Sequence, residues 1–339
     1  MQSNELKLSV IIPVYNLESY IGDTIESCEN QDMDKSQYEI ICIDDGSTDQ
    51  SCEVIKDYQS RYNNIVLIRQ ENQGVSAARN KGLMHAKGKY IWFVDGDDIV
   101  KSNCLDTLFK QVEMEQSDIL WFKMKDFIDE IEESVDCPFF LSCHEKEKLY
   151  SFMFSKGGGG VCCHWFNAEL LKNKQIIFDN RIKYSEDVLF SFQVLMNASV
   201  CTKTDGVYYY YRKRSDSATH VANYDTFSES MLLLAESYDE LSKNDKYSDW
   251  NKIIINKRDF AVKALLFNVM RSGNINEATR YIALLTQREF YPYPLKMELL
   301  RGNQTKKQAL INMLSFFFPC RFYYFFCVKC ISLLKKLRR

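Results

Sequence analysis

The chain has 339 residues, 46% of them apolar and 26% charged, which excludes a disordered or low-complexity protein and leaves room for one large domain or two small ones. Its formal charge of −3 hides an imbalance: nine Lys and Arg but no Asp or Glu follow Glu298, leaving 34 basic against 46 acidic residues in 1–298. No nucleic-acid partner is expected for so acidic a body, and nowhere is there an uninterrupted apolar run of the roughly 20 residues that a membrane span needs.

Leu8–Pro13 is an apolar run of β type. Leu17, Tyr20, Ile21, Ile25 and Cys28 then repeat at helical spacing, with Asn16 placed to cap them. Glu39–Ile43 is the next strand and ends in Asp44-Asp45-Gly46-Ser47. Cys52, Ile55, Tyr58 and Tyr62 mark a second helix, Ile65–Ile68 a third strand and Gly74–Ala86 a helix of small residues. Tyr90–Val94 is a buried strand that runs into Asp95-Gly96-Asp97-Asp98. Leu105, Leu108 and Val112 give a helix, and Ile119–Phe122 a strand. Strands spaced by helices of this length predict a parallel, doubly wound sheet with right-handed crossovers.

Residues 126–160 are less regular and end in Gly157-Gly158-Gly159-Gly160, which predicts a mobile loop. A helix after Asn167, a helix through Asp187–Met196 and a strand at Val207–Tyr211 follow. From Tyr224 to about Gln287 the spacing is helical. The end of the chain combines Phe316, Phe317, Phe318, Phe322, Tyr323, Tyr324, Phe325 and Phe326 with basic residues, as a helix lying on an anionic membrane surface would. A terminal helix packed on the body is the plainer alternative. Twelve scattered cysteines and an N-terminus that is polar up to Leu6 predict free thiols in a reducing compartment. Cys162-Cys163-His164 lacks the C-x-x-C spacing of a zinc site.

Parallel strands put all their carboxyl ends on one edge, where open α/β sheets bind ligands. One crevice should therefore gather Pro13-Val14-Tyr15-Asn16, Asp44-Asp45, Asn72-Gln73-Gly74 and Asp95-Gly96-Asp97-Asp98, with Arg79 a little over a turn into the third helix. Tyr15 suits stacking on a base, and an acid suits a ring N–H or ribose hydroxyls. Helix N–H groups and Arg79 suit phosphate oxygens. Three clustered acids repel and call for a divalent ion with oxygen ligands. The expectation is a nucleotide-diphosphate site that needs a metal.

Ser9-Val-Ile-Ile-Pro-Val-Tyr-Asn16, Asp44-Asp-Gly-Ser-Thr-Asp49, Asn72-Gln-Gly-Val-Ser-Ala-Ala-Arg-Asn-Lys-Gly82 and Asp95-Gly-Asp-Asp98 resemble, in order and spacing, the family 2 glycosyltransferases. The resemblance is close over residues 8–100 and looser to about 215. It implies a GT-A fold, a Rossmann-like and mostly parallel sheet flanked by helices, followed by a helical C-terminal region. It also implies a nucleotide-sugar donor, UDP-linked by family habit, and inversion at the anomeric carbon. Pro13, Val14, Tyr15, Asn16 and one of Asp44/Asp45 would hold base and ribose, and Asn72 and Arg79 would lie along the donor. Asp95 and Asp97 form the DxD pair, with Gly96 where Ser or Ala is common. Asp97 is the expected direct ligand of Mn2+ or Mg2+. Asp95 is expected to share the metal or touch the sugar. Glu186-Asp187, at the start of a helix, matches the family's Glu-Asp pair, with Asp187 as the base for the acceptor hydroxyl and Glu186 supporting it. Arg212, Arg214 and His220 are candidates to touch phosphate or metal, and His164-Trp165 either lines an acceptor pocket or is core.

These residues predict a GT-A transferase domain over 1–215, divided at 125 into donor and acceptor halves. A helical region over 216–300 and a membrane-interface tail over 301–339 follow. The expected enzyme is cytoplasmic, peripheral at the inner face of the membrane, and acts on a glycan or lipid-linked acceptor in surface polysaccharide synthesis. A sugar nucleotidyltransferase is the rival. It would normally begin with a glycine-rich basic loop, and Pro13–Leu17 contains no Gly, Lys or Arg. A non-catalytic glycan-binding module of the same fold is the third reading, and it would have no need of Asp187.

Overall fold

The computed structural model describes residues 6–128, 131, 139–154, 160–214, 224–291, 324–325, 327–329 and 331. The chain divides into two compact units, 1–180 with 185–220, and 181–184 with 221–339.

The first unit carries a nine-stranded sheet. Its elements run β1 (Leu8–Val14), α1 (Ile21–Glu29), β2 (Tyr38–Asp44), α2 (Ser51–Arg61), β3 (Ile65–Arg69), α3 (Val75–His85) and β4 (Tyr90–Phe93). Then come β5 (Ile99–Val100), α4 (Leu105–Glu115), β6 (Ile119–Phe127), β7 (Phe140–Cys143), α5 (Lys146–Phe154), β8 (His164–Asn167), α6 (Ala168–Lys174), α7 (Glu186–Asn197) and β9 (Cys201–Arg212). The strand order is β3-β2-β1-β4-β8-β6-β9-β5, with β7 also paired to β9. β3, β2, β1 and β4 are parallel, as the alternating pattern predicts. Beyond β4 the sheet is mixed. β8 runs antiparallel to both β4 and β6, and β5 and β7 run antiparallel to β9. Four-residue β8 and two-residue β5 are too short to show a period, so neither is legible in the sequence.

β1 and β2 are buried along their whole length, the near-continuous apolar habit of parallel strands covered on both faces. Their polar exceptions satisfy one another: Ser9 Oγ donates to Glu39 Oε1 at 2.6 Å, and the Lys87 N–H donates to the same oxygen at 2.7 Å. α3 lies unusually close to β1, because a Cβ on Gly82 would stand 2.3 Å from Ile11 Cγ2. The buried Ala77 and Ala78 share that close face. A helix built of small residues can sink onto the sheet, and this seats Arg79 deep in the structure.

Asn16 does not cap α1 as its position suggests. That helix starts at Ile21, and Asn16 takes φ 53 in the connecting turn. There its Oδ1 accepts the Thr48 N–H at 2.8 Å and its own N–H donates to Ser47 Oγ at 3.0 Å, so it knits the β1 and β2 loops together. Asn residues tolerate this left-handed backbone at small cost. All described cysteines are free. The glycine run expected to be mobile lies outside the described residues except for Gly160.

The second unit is helical: α8 (Tyr224–Ser242), α9 (Asn251–Ser272) and α10 (Ile275–Gln287). Residues 181–184 join it, with the Lys183 N–H donating to Ser230 Oγ at 3.1 Å. Most of the basic aromatic tail lies outside the described residues. Tyr324 is fully buried, and its hydroxyl donates to the Leu266 carbonyl at 3.0 Å. That ring is therefore spent on the helical unit, not on a membrane, as in the packed-helix alternative. Among the described residues no helix is long and apolar enough to cross a membrane.

Candidate active site

The parallel register sets Val14 beside Asp44 and Ile11 beside Phe93, so the loops after β1, β2 and β4 open on one edge. Tyr15 stands there 48% exposed, a ring of that size held in solvent at the mouth of the crevice. Pro13 and Val14 are buried beneath it.

The second loop is wired inward. Asp44 is fully buried, accepts the Ser47 N–H at 3.0 Å and pairs with Arg69 Nε at 2.7 Å. Asp45 accepts the N–H groups of Gln73 at 2.9 Å and Gly74 at 2.8 Å, and Gln70 Nε2 at 2.8 Å. Asp45 thus holds the two N–H groups that precede α3, and both acids have partners within the protein. Asn72 stays exposed beside them. Gly46, at φ 78, is required here, since a Cβ on it would meet the Asn72 nitrogen at 2.9 Å.

Arg79 is 5% exposed and bridges two loops. One terminal nitrogen donates to Asp95 Oδ1 and the other to Glu186 Oε1, each at 2.9 Å. Its plane lies over the Phe178 ring at 5.4 Å. Both terminal nitrogens are given to carboxylates. The result is that the acid after β4 and the acid pair at the start of α7, 107 residues from Arg79 in sequence, share one buried cation.

Asp97 pairs with Arg214 Nε at 2.8 Å, and its backbone carbonyl accepts Arg212 Nε at 2.8 Å. Burial raises the Asp97 carboxyl, the Asp95 charge raises it further, and Arg214 opposes both. Asp98, unassigned by the motif, is the organiser of this loop. It is 1% exposed, accepts the Tyr209 hydroxyl at 2.6 Å and accepts the Arg212 N–H at 2.8 Å. Burial, then the charges of Asp95 and Asp97, push it up to about 8. Tyr209 also accepts the Asp95 N–H at 3.1 Å, so one phenol braces both ends of the acidic loop. No local signal marks Tyr209 within its run of four tyrosines. Gly96 fits tightly: a Cβ there would lie 2.8 Å from Leu17 Cδ1 and 3.1 Å from the Pro13 carbonyl. Ser or Ala would turn the end of the Leu17 side chain aside and need the Pro13 carbonyl to give by a few tenths of an ångström.

Ser185 takes φ 65 just before α7, a strained setting for a residue with a Cβ. The turn presents Glu186 and Asp187 at the helix N-terminus, where negative charge is favoured. Burial drives Glu186 up to about 7 against the pull of Arg79, and Asp187 adds to the rise. Asp187 is also raised by burial, with Arg79 opposing. Gly160 lies against it, since a Cβ there would meet Asp187 Oδ2 at 2.8 Å. His164 and Trp165 are 2% and 0% exposed and belong to the core, not to an acceptor pocket. His220 lies outside the described residues.

Asp95 and Asp97 fit a hard divalent cation. Two like-charged carboxylates sit at one strand end, and Mg2+ or Mn2+ takes one or two carboxylates plus substrate phosphates. Among the described residues no three His, Cys, Asp or Glu side chains converge as a ready-made metal site.

An α/β sheet whose first four strands are parallel, with paired acids at their carboxyl edge, is a frame that nucleotide-binding proteins share. The profile of Glycosyl transferase family 2 matches residues 9–190, and the chain belongs to that family. A poly(ribitol-phosphate) beta-glucosyltransferase of Bacillus spizizenii is 35% identical over 222 residues, which are 64% of this chain and 34% of that protein. The poly(ribitol-phosphate) beta-N-acetylglucosaminyltransferase TarS of Staphylococcus aureus is 30% identical over 237 residues, 68% of this chain and 40% of that one. The chain thus matches well under half of either relative's length. The crystal structure of S. aureus TarS 1–349 with UDP-GlcNAc superposes with a TM-score of 0.58 at 19% identity, covering 98% and 93% of the two chains. A mannosyltransferase of Pyrobaculum calidifontis in complex with GDP-Man and Mn2+ gives 0.55 at 14%, covering 97% and 88%. At these identities the solved structures show the fold, GT-A with a helical C-terminal region.

Proposed function

We propose that the chain is an inverting, metal-dependent glycosyltransferase that moves a sugar from a UDP-sugar to a glycan or lipid-linked acceptor in bacterial surface polysaccharide synthesis. The observation that carries this reading is the Arg79 bridge. It ties the donor-side acid Asp95 to the acceptor-side pair Glu186-Asp187 across one buried guanidinium. A binding module needs no such link between a strand-end acid and a distant helix-start acid. UDP as carrier is supported by the UDP-GlcNAc complex of TarS, and the acceptor class by the teichoic-acid enzymes among the relatives.

In this mechanism Tyr15 stacks on the base at the mouth of the crevice, over the buried Pro13 and Val14. Asn16 and Asp45 shape the ribose side indirectly, through the loops they hold. Asp97, with Asp95, would hold the Mn2+ or Mg2+, whose chemistry is to neutralise charge on the leaving diphosphate. Asp187 accepts the proton of the acceptor hydroxyl as its oxygen attacks the anomeric carbon. The bond from that carbon to the diphosphate breaks, and its electron pair leaves with UDP. The raised carboxyl of Asp187 brings its basicity closer to neutrality, where a general base is most effective. Glu186 stays bonded to Arg79 and fixes the helix start. A cytoplasmic enzyme held at the inner membrane face remains the proposed setting. Its membrane contact rests on the tail's other rings and basic residues, because Tyr324 is already used.

Incubating the protein with a panel of UDP-, GDP- and TDP-sugars in Mn2+, and following nucleotide release, tests the reading without knowledge of the acceptor. UDP release from one or two UDP-sugars is expected. Release of inorganic diphosphate in place of the nucleoside diphosphate, or no release from any sugar, would overturn it.

A further inference from the structure

A groove of about 760 Å³ is lined by the end of α3, the turn into β4 and α6. It lies at the amino end of β4, whereas the acidic loop follows the carboxyl end, so it is separate from the candidate active site. Leu83, Leu171 and Ile176 give it an apolar lining. Met84 and Ile177 line it too, yet stay 78% and 61% exposed, so two large apolar side chains of one surface are offered to solvent. The charge of the lining is one-sided: Lys87, Lys89 and Lys172 stand against Glu169 alone. Lys89 pairs with Glu113 at 2.7 Å, and Glu169 accepts Asn173 Nδ2 at 3.3 Å. Lys87 and Lys172 stay exposed, and among the described residues neither is in an ion pair. The backbone beneath them is pinned, because the N–H groups of Lys87 and Gly88 donate to Glu39 Oε1 at 2.7 Å and Ser9 Oγ at 2.8 Å.

We infer that this groove is a docking surface for an anionic lipid bilayer: Met84 and Ile177 enter the acyl region, and Lys87 and Lys172 meet the headgroup phosphates. The inference sharpens the membrane setting proposed above, because it names a surface on the sheet-bearing unit that is separate from the basic tail. Charge complementarity selects the occupant. A second copy laid on the groove about a twofold axis would set these lysines against their own mates. The tail from 301 onward carries basic residues and no acid, so it would meet them with like charge. What fits is a partner that is apolar and anionic at once. Apolar side chains that stand out into solvent beside lysines are the pattern of interfacial insertion, in which rings or aliphatic tips leave water while the cations stay at the phosphates. Docking at the amino end of β4 leaves the crevice beyond its carboxyl end open to donor and acceptor.

The test must tell this surface from the tail, so it reads position. The full chain is mixed with vesicles of phosphatidylcholine and phosphatidylglycerol that carry a photoreactive group on an acyl chain. After illumination the adducts are mapped by peptide mass spectrometry. Adducts on Met84 or Ile177 are expected, and they should all but vanish with vesicles of phosphatidylcholine alone. A lysine near an anionic surface is worth about fivefold in affinity, so Lys87→Gln with Lys172→Gln should cut this labelling at least tenfold. Both side chains are exposed, so the thermal midpoint of the double variant should equal that of wild type. Should the double variant fail to fold, added salt decides on wild type, because screening must produce the same loss at these two residues. Labelling that resists the double variant or salt, or that is equal on phosphatidylcholine, overturns the inference. So do adducts confined to residues 301–339, which would leave the tail as the membrane contact. A dimer in sedimentation that Met84→Asp dissolves, with no adduct at the groove, would assign the surface to a second copy and overturn it as well. No adduct anywhere on the chain would remove the membrane setting together with this surface.

Discussion

Replacing Arg79 by Met removes the cation that two acid loops share, while keeping most of the side-chain volume. The Arg79 side chain is 6% exposed and that of Glu186 11%, and breaking such a buried pair from one side costs about 3–5 kcal/mol. Asp95 is 34% exposed, so solvent screening holds its share to less than about 1 kcal/mol. Glu186 has an escape, because it can take up a proton. In the folded chain its value is about 7, so protonating it costs little at pH 7 and about 3 kcal/mol at pH 9, which caps the penalty near that figure there. A carboxyl raised in the folded state binds more protons folded than unfolded, so stability falls as pH rises from 4.5 toward the folded value. Arg79→Met should therefore lose about 3 kcal/mol at pH 9 and recover most of it at pH 6. Urea unfolding followed by tryptophan fluorescence at both pH values measures this, and adding Glu186→Gln should restore most of the loss at pH 9. A cost below about 1 kcal/mol at pH 9, or no rescue by Glu186→Gln, would refute the shared-cation account.

Asp187→Asn should keep UDP affinity and lose roughly 10²–10⁴ in transfer rate, the usual worth of a general base, in a steady-state assay. Gly160→Ala should mimic it in part, because the new Cβ would meet Asp187 Oδ2 at 2.8 Å. At least a tenfold fall in kcat is expected with little change in the donor KM. His164 is held near 4, below its ordinary 6.5, by burial, with the Gly160 carbonyl opposing. The unfolded chain therefore binds the extra proton between those values. The stability His164 contributes is complete above pH 6.5 and lost on descent to about 4, a swing of about 3 kcal/mol. His164→Gln should flatten that acid limb of the stability profile.

How much of this was legible depended on whether the signal was local. The β1–β4 strands and α3 announced themselves through runs of Ile and Val and a run of small residues, and their parallel order follows from the spacing. The mixed half did not: β8 and β5 are short strands that pair only because distant segments fold over them. At the site, the acids were readable as motifs, but their partners were not. Arg69 on Asp44, Tyr209 on Asp98, Arg214 on Asp97 and Gly160 against Asp187 are contacts over 25 to 117 residues of sequence, set by the fold alone. Asp44 and Asp45 were readable as acids at a strand end, but not the donors that their burial requires, which come from neighbouring loops.

In the proposed mechanism the donor site needs the acidic loop and is separate from the acceptor base. UDP binding measured by calorimetry in Mn2+ and in EDTA, on wild type, Asp97→Asn and Asp187→Asn, tests this most directly. Binding should require Mn2+, disappear in Asp97→Asn and survive within a few-fold in Asp187→Asn. Equal affinity in EDTA and Mn2+, or unaltered binding by Asp97→Asn, would contradict it.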